Sequence, residues 1–259
     1  ARTRRSVELW AERLQSQGIA AITYHAGLEA ERREEALRHF LEADTPVLVA
    51  TVAFGMGVDR SDVGLVLHLD LPATPEGYLQ ESGRAGRDGR PAHCLVLFSP
   101  GDRTSLGWAM QSTLRRAPEA KASDDDVWRV EFSQQQLRRM EAVAEGEICR
   151  EQALLLSVGE LTSPCGRCDR CLADLRAKDW SNRAQELLEV IDAGQGADIR
   201  SLTERLRELD GSEDRWGWLA RRLVQEELIR ESNDGAQRLS LRDSGRQFLH
   251  APWPLHYAA

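Results

Sequence analysis

Val47-Leu48-Val49-Ala50-Thr51-Val52-Ala53-Phe54-Gly55-Met56-Gly57-Val58-Asp59 carries a short apolar run directly into a Gly-rich loop. Four apolar residues without alternation, set off by Pro46, suit a strand buried on both faces, as parallel sheets require. The theme repeats outward. Val7, Trp10, Ala11 and Leu14 recur at helical spacing up to Gly18, and Ile19 to His25 then reads as a strand. Glu29 to Leu41 is a charged amphipathic helix, and Glu76 to Ser82 is a short one. Leu65 to Leu69 and Cys94 to Phe98 read as further buried strands, with Cys94 in the core. Helix and strand in alternation predict β-α-β units and an open α/β sheet. In such sheets ligands sit in the loops at the carboxyl ends of the strands. The first legible element is a helix, so a strand is expected ahead of Ala1.

Beyond residue 100 the order changes. Residues 101–131 lose the alternation, and Lys121-Ala122-Ser123-Asp124-Asp125-Asp126 reads as an exposed linker. Ser133 to Ser157 is helical and leads to a cysteine-rich turn ending near Leu172. Arg183–Ala193, Ile199–Leu209 and Asp214–Glu227 are three helices. Leu228–Glu231 and Arg238–Leu241 are short strands around Asn233-Asp234-Gly235. Three helices and a hairpin are the plan of a winged helix. The expected domains are 1–105, 106–178 and 179–259.

Composition excludes several classes. With 34 Lys plus Arg against 42 Asp plus Glu, the formal charge is -8, and 41% of residues are hydrophobic. No apolar stretch of about 18 residues, long enough to span a membrane, occurs, and no signal-peptide segment follows the basic start. Five crowded cysteines do not form a secreted disulfide framework, so a reduced, cytosolic setting is expected. Lys121 and Lys178 are the only lysines, and each follows alanine. The sequence therefore holds no G-x-x-x-x-G-K phosphate loop and no route to nucleotide hydrolysis through one. An acidic chain binds nucleic acid only through a local Arg patch.

Gln80-Glu81-Ser82-Gly83-Arg84-Ala85-Gly86-Arg87-Asp88-Gly89-Arg90 places three glycines among arginines, so the backbone turns tightly and guanidinium groups approach phosphate. Alone, this would read as a solvated turn. Together with the 47–59 stretch and His68-Leu69-Asp70-Leu71-Pro72, it resembles motifs V and VI of superfamily 2 helicases, specifically the RecQ family. Tyr24-His25-Ala26-Gly27-Leu28 resembles that family's segment after motif IV.

The resemblance implies an α/β fold: a RecA-like parallel-sheet lobe, then a small helical zinc-binding subdomain and a winged-helix domain. It implies part of an ATP-dependent 3′–5′ DNA helicase of repair and recombination, with ATP and Mg²⁺ bound on a first lobe outside this sequence. Carried over by residue, Arg87 is the arginine finger, Arg84 pairs with phosphate, and Gln80 and Asp59 couple nucleotide state to lobe closure. Thr51, the loop Ala53 to Val58, His25 and Gly27 face the DNA backbone. His25 fits a satisfied strand-end histidine equally well, Phe54 and Met56 fit loop packing, and Arg60 and Arg90 fit solvated side chains. The implied partners are single-stranded and duplex DNA and the first lobe, with the protein a monomer.

A second constellation is Cys149, then Cys165-Gly166-Arg167-Cys168-Asp169-Arg170-Cys171. Two residues between cysteines let a turn converge its thiolates on one ion, and Cys149 completes a tetrahedral set. Four sulfurs leave no position for water, so Zn²⁺ there is structural. Arg150, Arg167 and Arg170 offset the thiolate charge. The bland alternative is a reduced thiol cluster or chance disulfides.

The third signal is weaker. Trp216, Leu219, Leu223 and Val224 form an apolar stripe, with Arg215, Arg221 and Arg222 on other faces. Such a helix enters the major groove in winged-helix proteins; a solvated face is the alternative. Residues 180–259 hold 11 Arg against 14 Asp plus Glu, which excludes a general DNA magnet. RecQ-family hairpins often act as strand-separating wedges, but Asn233-Asp234-Gly235-Ala236 offers no aromatic tip. The rival to the helicase is a non-enzymatic zinc and winged-helix module for DNA binding or interaction.

Overall fold

The structure, a computed structural model, describes residues 1–42, 47–55, 60–99, 101–102, 105–107, 109–110, 124–173, 176–194, 198, 201–202, 204, 206, 215–232 and 238–258. The chain divides into two compact units, residues 1–144 with 154–161 and residues 145–153 with 162–259. It passes from one unit to the other three times.

In the first unit, helix α1 (Arg4–Ser16) begins where the Thr3 hydroxyl accepts the Ser6 N–H at 3.1 Å. Its Val7 and Ala11 are buried with Ala21 of β1 (Ala21–Tyr24) and Val49 of β2 (Val47–Ala50). Strands β1 and β2 pair in parallel, in register Ala21 to Val47, around helix α2 (Ala30–Glu42). Phe54, in the 3₁₀ turn Val52–Gly55, stands edge-on to Tyr24 and Phe40 with centroids 5.0 and 5.5 Å away. Its role is loop packing.

Strands β3 (Leu65–His68) and β4 (His93–Val96) form a second parallel pair, crossed by α3 (Pro75–Ser82). Among the described residues these are two separate two-stranded sheets, whereas the sequence predicts one. The ends of the pairs meet through the first two residues. The Ala1 amino group donates to Ala50 O at 2.9 Å, and the Arg2 N–H donates to Asp70, just past β3, at 3.0 Å.

The expectation that β3 and β4 are buried on both faces is corrected. Alternation puts Val66, His68 and Cys94 on the side of α3, where the Cys94 thiol donates to Ser82 O at 3.7 Å. Leu65, Leu67 and Leu95 point the other way and remain 53%, 42% and 50% exposed. Cys94 is itself exposed, not a core residue. Helix α4 (Asp124–Glu145) follows, with Leu137, Met140 and Val143 buried.

In the second unit, Cys149 precedes α5 (Arg150–Ser157), and Cys165 precedes the single turn α6 (Asp169–Leu172). Helices α7 (Ser181–Gly194), α8 (Arg215–Gln225) and α9 (Asp243–His250) surround one apolar core, whose centre includes Leu187, Leu188, Trp216, Leu219, Leu223 and Phe248. Of the expected helix 199–209, the buried Leu202 and Leu206 belong to this core. The hairpin is β6 (Ile229–Glu231) with β7 (Leu239–Leu241); its Asn233–Ala236 tip lies outside the described residues. The short strands β5 (Lys178–Asp179) and β8 (His256–Tyr257) close the unit.

One ion pair ties this unit together. The Arg221 guanidinium on α8 donates to the Glu145 carboxylate at 2.6 to 3.1 Å, with the side chains only 12% and 11% exposed. Removing one partner strands a buried charge, at a cost of about 3–5 kcal/mol. Glu145→Ala should therefore destabilise the second unit by about that much in urea unfolding. Arg246→Ala, which removes the exposed Arg246–Asp243 pair, should change stability by less than about 1 kcal/mol.

Candidate functional site

Helix α3 starts at Thr74, whose hydroxyl accepts the Gly77 N–H at 2.9 Å, with Pro75 in the first turn. It runs out at Gly83 into the Arg-rich loop. Gly86 has φ +67°, and a Cβ there would lie 3.1 Å from Arg90 O and 3.2 Å from Ala92 Cβ. Both the conformation and the space demand glycine. The Gly86 N–H donates to Val63 O at 3.0 Å and the Asp88 N–H to Ser61 O at 3.1 Å. The loop is thus pinned by its backbone to the stretch that follows the Gly-rich segment.

On this support Arg87 is exposed, its Nε donating to Gly83 O at 3.3 Å, while Arg84 is half-buried and Gln80 exposed. Beneath them His68 Nε2 and Glu81 are 2.7 Å apart, and the His68 ring lies 5.1 Å from that of Tyr78. This contact fastens α3 to the end of β3. Neither Glu81 nor its pairing was singled out from the sequence, although the His-Leu-Asp-Leu-Pro segment ends a strand facing that helix.

The remaining sequence candidates scatter. Thr51, half-buried at the end of β2, donates its N–H to Tyr24 O at 3.2 Å. His25 is 3% exposed, with Nε2 3.3 Å from Glu8, so it is a partnered interior histidine rather than a surface group. Gly27 lies under Arg4, whose guanidinium nitrogen would be 2.8 Å from a Cβ there. Arg60 is anchored rather than solvated. It pairs with Asp62 at 2.7 Å, donates to Phe40 O and covers the Phe40 ring. Arg90 is exposed and 3.5 Å from Asp88. Asp59 and Met56 lie outside the described residues.

The four cysteines do come together. The Sγ atoms of Cys149, Cys165, Cys168 and Cys171 all lie within 4.8 Å of one another, with Cys168 and Cys149 3.9 Å apart. A tetrahedral zinc with bonds of about 2.3 Å needs sulfur edges of about 3.8 Å, so the set fits that ion. Backbone N–H groups already point at the sulfurs: Cys165 to Cys149 at 3.2 Å, and Arg150 and Cys171 to Cys168 at 3.4 Å. Burial opposes ionisation of Cys168, but these donors outweigh it and bring its pKa down to about 6. Cys149 is lowered in the same way, by N–H donors from Cys165 and Gln152 against its burial. Four thiolates close the coordination, so the zinc is structural.

The arginines around the cluster have distinct tasks. Arg150 donates to Asp169 at 2.9 to 3.2 Å and holds that carboxyl below its usual range. Arg170 donates to Glu145 O at 3.1 Å, and Arg167 to Glu151 at 2.9 Å. On α8, Arg221 is committed to Glu145. Arg222 meets Glu226 at 3.1 Å and Glu147 at 3.8 Å and lies over the Tyr257 ring at 4.9 Å.

A family model described as the helicase conserved C-terminal domain matches residues 1–89, and one described as RecQ zinc-binding matches residues 104–172. The ATP-dependent DNA helicase RecQ of Pasteurella multocida is 32% identical over 279 residues, covering 99% of this chain and 42% of its own. That of Haemophilus influenzae is 32% identical over 282 residues, covering 99% and 43%. That of Bacillus subtilis is 35% identical over 190 residues, covering 73% and 30%. The chain thus spans less than half the length of these relatives. No helix among the described residues is long and apolar enough to cross a membrane.

Structural zinc contributes about 10 kcal/mol or more to folding in small peptides. Elemental analysis of the purified chain should find one zinc per molecule. Cys168→Ser should lose it and leave the second unit sensitive to protease.

Proposed function

Since the chain belongs to the RecQ family of DNA helicases, we propose that it is the part of an ATP-dependent 3′–5′ DNA helicase that supplies the second RecA-like lobe, the zinc module and a winged helix. The observation that carries this reading is the Arg-rich loop. Gly86 and Asp88 tie its backbone to Val63 and Ser61, and Arg87 stands exposed between them. A guanidinium held on so short and fixed a base is suited to meet the γ-phosphate of ATP bound, with Mg²⁺, on a partner lobe. Its charge acts as the phosphoryl group leaves. Arg84, half-buried one turn earlier, pairs with phosphate or sets the loop, and Gln80 lies on the same helix.

DNA passes along the carboxyl ends of β1 and β2, at Thr51 and the Gly27 turn, where Arg4 lies over the glycine. His25 supports this surface from beneath. Single-stranded and duplex DNA are the substrates, and unwinding in repair and recombination the role. A monomer working in the bacterial cytoplasm or nucleoid completes the reading. The functional segments are 1–105, 106–178 and 179–259; of the middle one, residues 145–153 and 162–178 share a compact unit with the last.

In the helicase that contains this sequence, Arg87→Ala should lower DNA-stimulated kcat by about 10³–10⁵, the range for arginine fingers in the GTPase template. The nucleotide Kd should change little, because the contact matters in the transition state. Turnover within a few-fold of wild type would remove Arg87 from the reaction. The 259-residue chain alone is expected to bind DNA without hydrolysing ATP.

A further inference from the structure

Helix α3 is eight residues long, two turns that would not persist alone in water. Its last turn holds no basic residue. Glu81 stands there instead, at the carbonyl end of the helix, where the dipole disfavours a carboxylate. The charge weakens its own helix, so what offsets it lies outside the helix. His68, at the end of β3, has its Nε2 2.7 Å from Glu81 Oε2, with the two side chains 11% and 29% exposed. A carboxylate only accepts, which places the proton on Nε2 as the donor. Nδ1 of the same ring is buried and meets no hydrogen-bond partner among the described residues, so the ring's bonding is concentrated on Glu81. The buried Tyr78 ring, 5.1 Å away, flanks the imidazole.

Only Ser82 and Gly83 separate Glu81 from the arginines of the loop. The Glu81 carbonyl accepts the Arg84 N–H at 3.4 Å, and the Ser82 carbonyl accepts the Ala85 N–H at 3.0 Å. The Gly83 carbonyl accepts from Arg87 Nε at 3.3 Å. The loop is therefore held from two sides. On the far side the fastenings run from backbone to backbone, Gly86 to Val63 and Asp88 to Ser61. On the near side they depend on where the last turn of α3 sits. There the His68–Glu81 pair is the strong contact, whereas the Cys94 thiol on Ser82 O, at 3.7 Å, is a weak donor.

We propose that Glu81 is a positioning residue for Arg87. Held by His68, it fixes the last turn of α3 and with it the Gly83 carbonyl on which the Arg87 side chain rests. This rests on Arg87 being the residue that meets the γ-phosphate. The Glu81 carboxylate is engaged at the end of β3, so its effect on turnover passes through the loop. A pair that only stabilised the fold would lower turnover as far as folded protein is lost. A positioning pair lowers kcat in fully folded enzyme, and only while Arg87 is there to be positioned.

The test is a double-variant cycle on DNA-stimulated ATP hydrolysis, read at single turnover, in the helicase that contains this sequence. Nucleotide Kd and the urea midpoint are measured beside it. Glu81→Ala should lower the rate by about 10–100-fold, the scale on which a displacement of about 1 Å is felt. Its nucleotide Kd should stay within about twofold of wild type. Glu81→Gln, whose amide oxygen still accepts from Nε2, should recover most of the loss. His68→Leu removes the donor and should reproduce Glu81→Ala, and the two together should lower the rate no further than either alone. In an Arg87→Ala background, Glu81→Ala should change the rate by less than about twofold. A further tenfold loss there, on the order of 1.4 kcal/mol, would show Glu81 acting independently of Arg87 and overturn the proposal. Wild-type turnover by folded Glu81→Ala, beside an inactive Arg87→Ala, overturns it while leaving the reading of Arg87 intact. Should Glu81→Ala not fold, Glu81→Asp, one methylene short of Nε2, takes its place, and wild-type turnover by that variant overturns the proposal equally. Wild-type turnover by Arg87→Ala overturns the finger reading and this inference together.

Discussion

Glu145 and Arg221 have both left water, and neither is tolerable there without the other. At the dielectric of a protein interior a lone charge costs several kcal/mol, whereas a bidentate pair returns most of that and fixes two planes against each other. The consequences spread along the chain. Glu145 closes α4, and its carbonyl also accepts from Arg170 in the zinc loop. The next carbonyl, that of Gly146, accepts from Arg150, which in turn holds Asp169. One short segment therefore touches both the metal-binding turn and the helix at the centre of the apolar core. The four-cysteine turn and the winged helix accordingly share one structural unit, although the expected boundary between their segments falls near residue 178.

What the sequence reveals is whatever a short stretch must do for itself. The Arg-rich loop is legible because its turn demands glycine at a left-handed position and a backbone bare enough to pass Arg90 and Ala92. The cysteines are legible because two-residue spacing already converges their sulfurs, and only Cys149 has to be brought from afar. The α8 arginines show the limit. An amphipathic helix with arginines off its apolar stripe looks the same whether those arginines face solvent, DNA or a carboxylate 76 residues away. His25 shows it too, since only the packing of α1 against β1 brings Glu8 to its ring. Pairings between distant elements leave no periodicity to read.

The parallel strands carry a related lesson. An unbroken apolar run signals burial on both faces, and β2 comes nearest to this, with Val49 buried and Val47, Leu48 and Ala50 half-buried. The runs of β3 and β4 are equally apolar, yet among the described residues only the face toward α3 is covered. Their composition is that of a sheet covered on both sides, so Leu65, Leu67 and Leu95 record a demand for cover that the described residues do not meet. On the covered face the same two strands support the chemistry. His68 at the end of β3 holds Glu81, and the loop beyond α3 is hydrogen-bonded to residues 61 and 63. The Arg-rich loop and the 61–63 stretch are in effect one braced object, so a displacement of one is felt at the other.

The path of the chain between its two units gives the metal site a topological role. Residues 154–161 are an excursion: the chain leaves the second unit after Ala153 and re-enters it at Thr162. Cys149 stands before the departure, and Cys165, Cys168 and Cys171 stand after the return. An ion bound to all four is a clasp across the mouth of that loop, closing covalent chain into a ring. A nick anywhere in the excursion would then leave the flanking pieces bound to each other for as long as the ion stayed, and chelation would open the clasp. Zinc in this protein thus stabilises a fold and also fixes a connectivity, holding together ends that the peptide backbone alone would let drift apart.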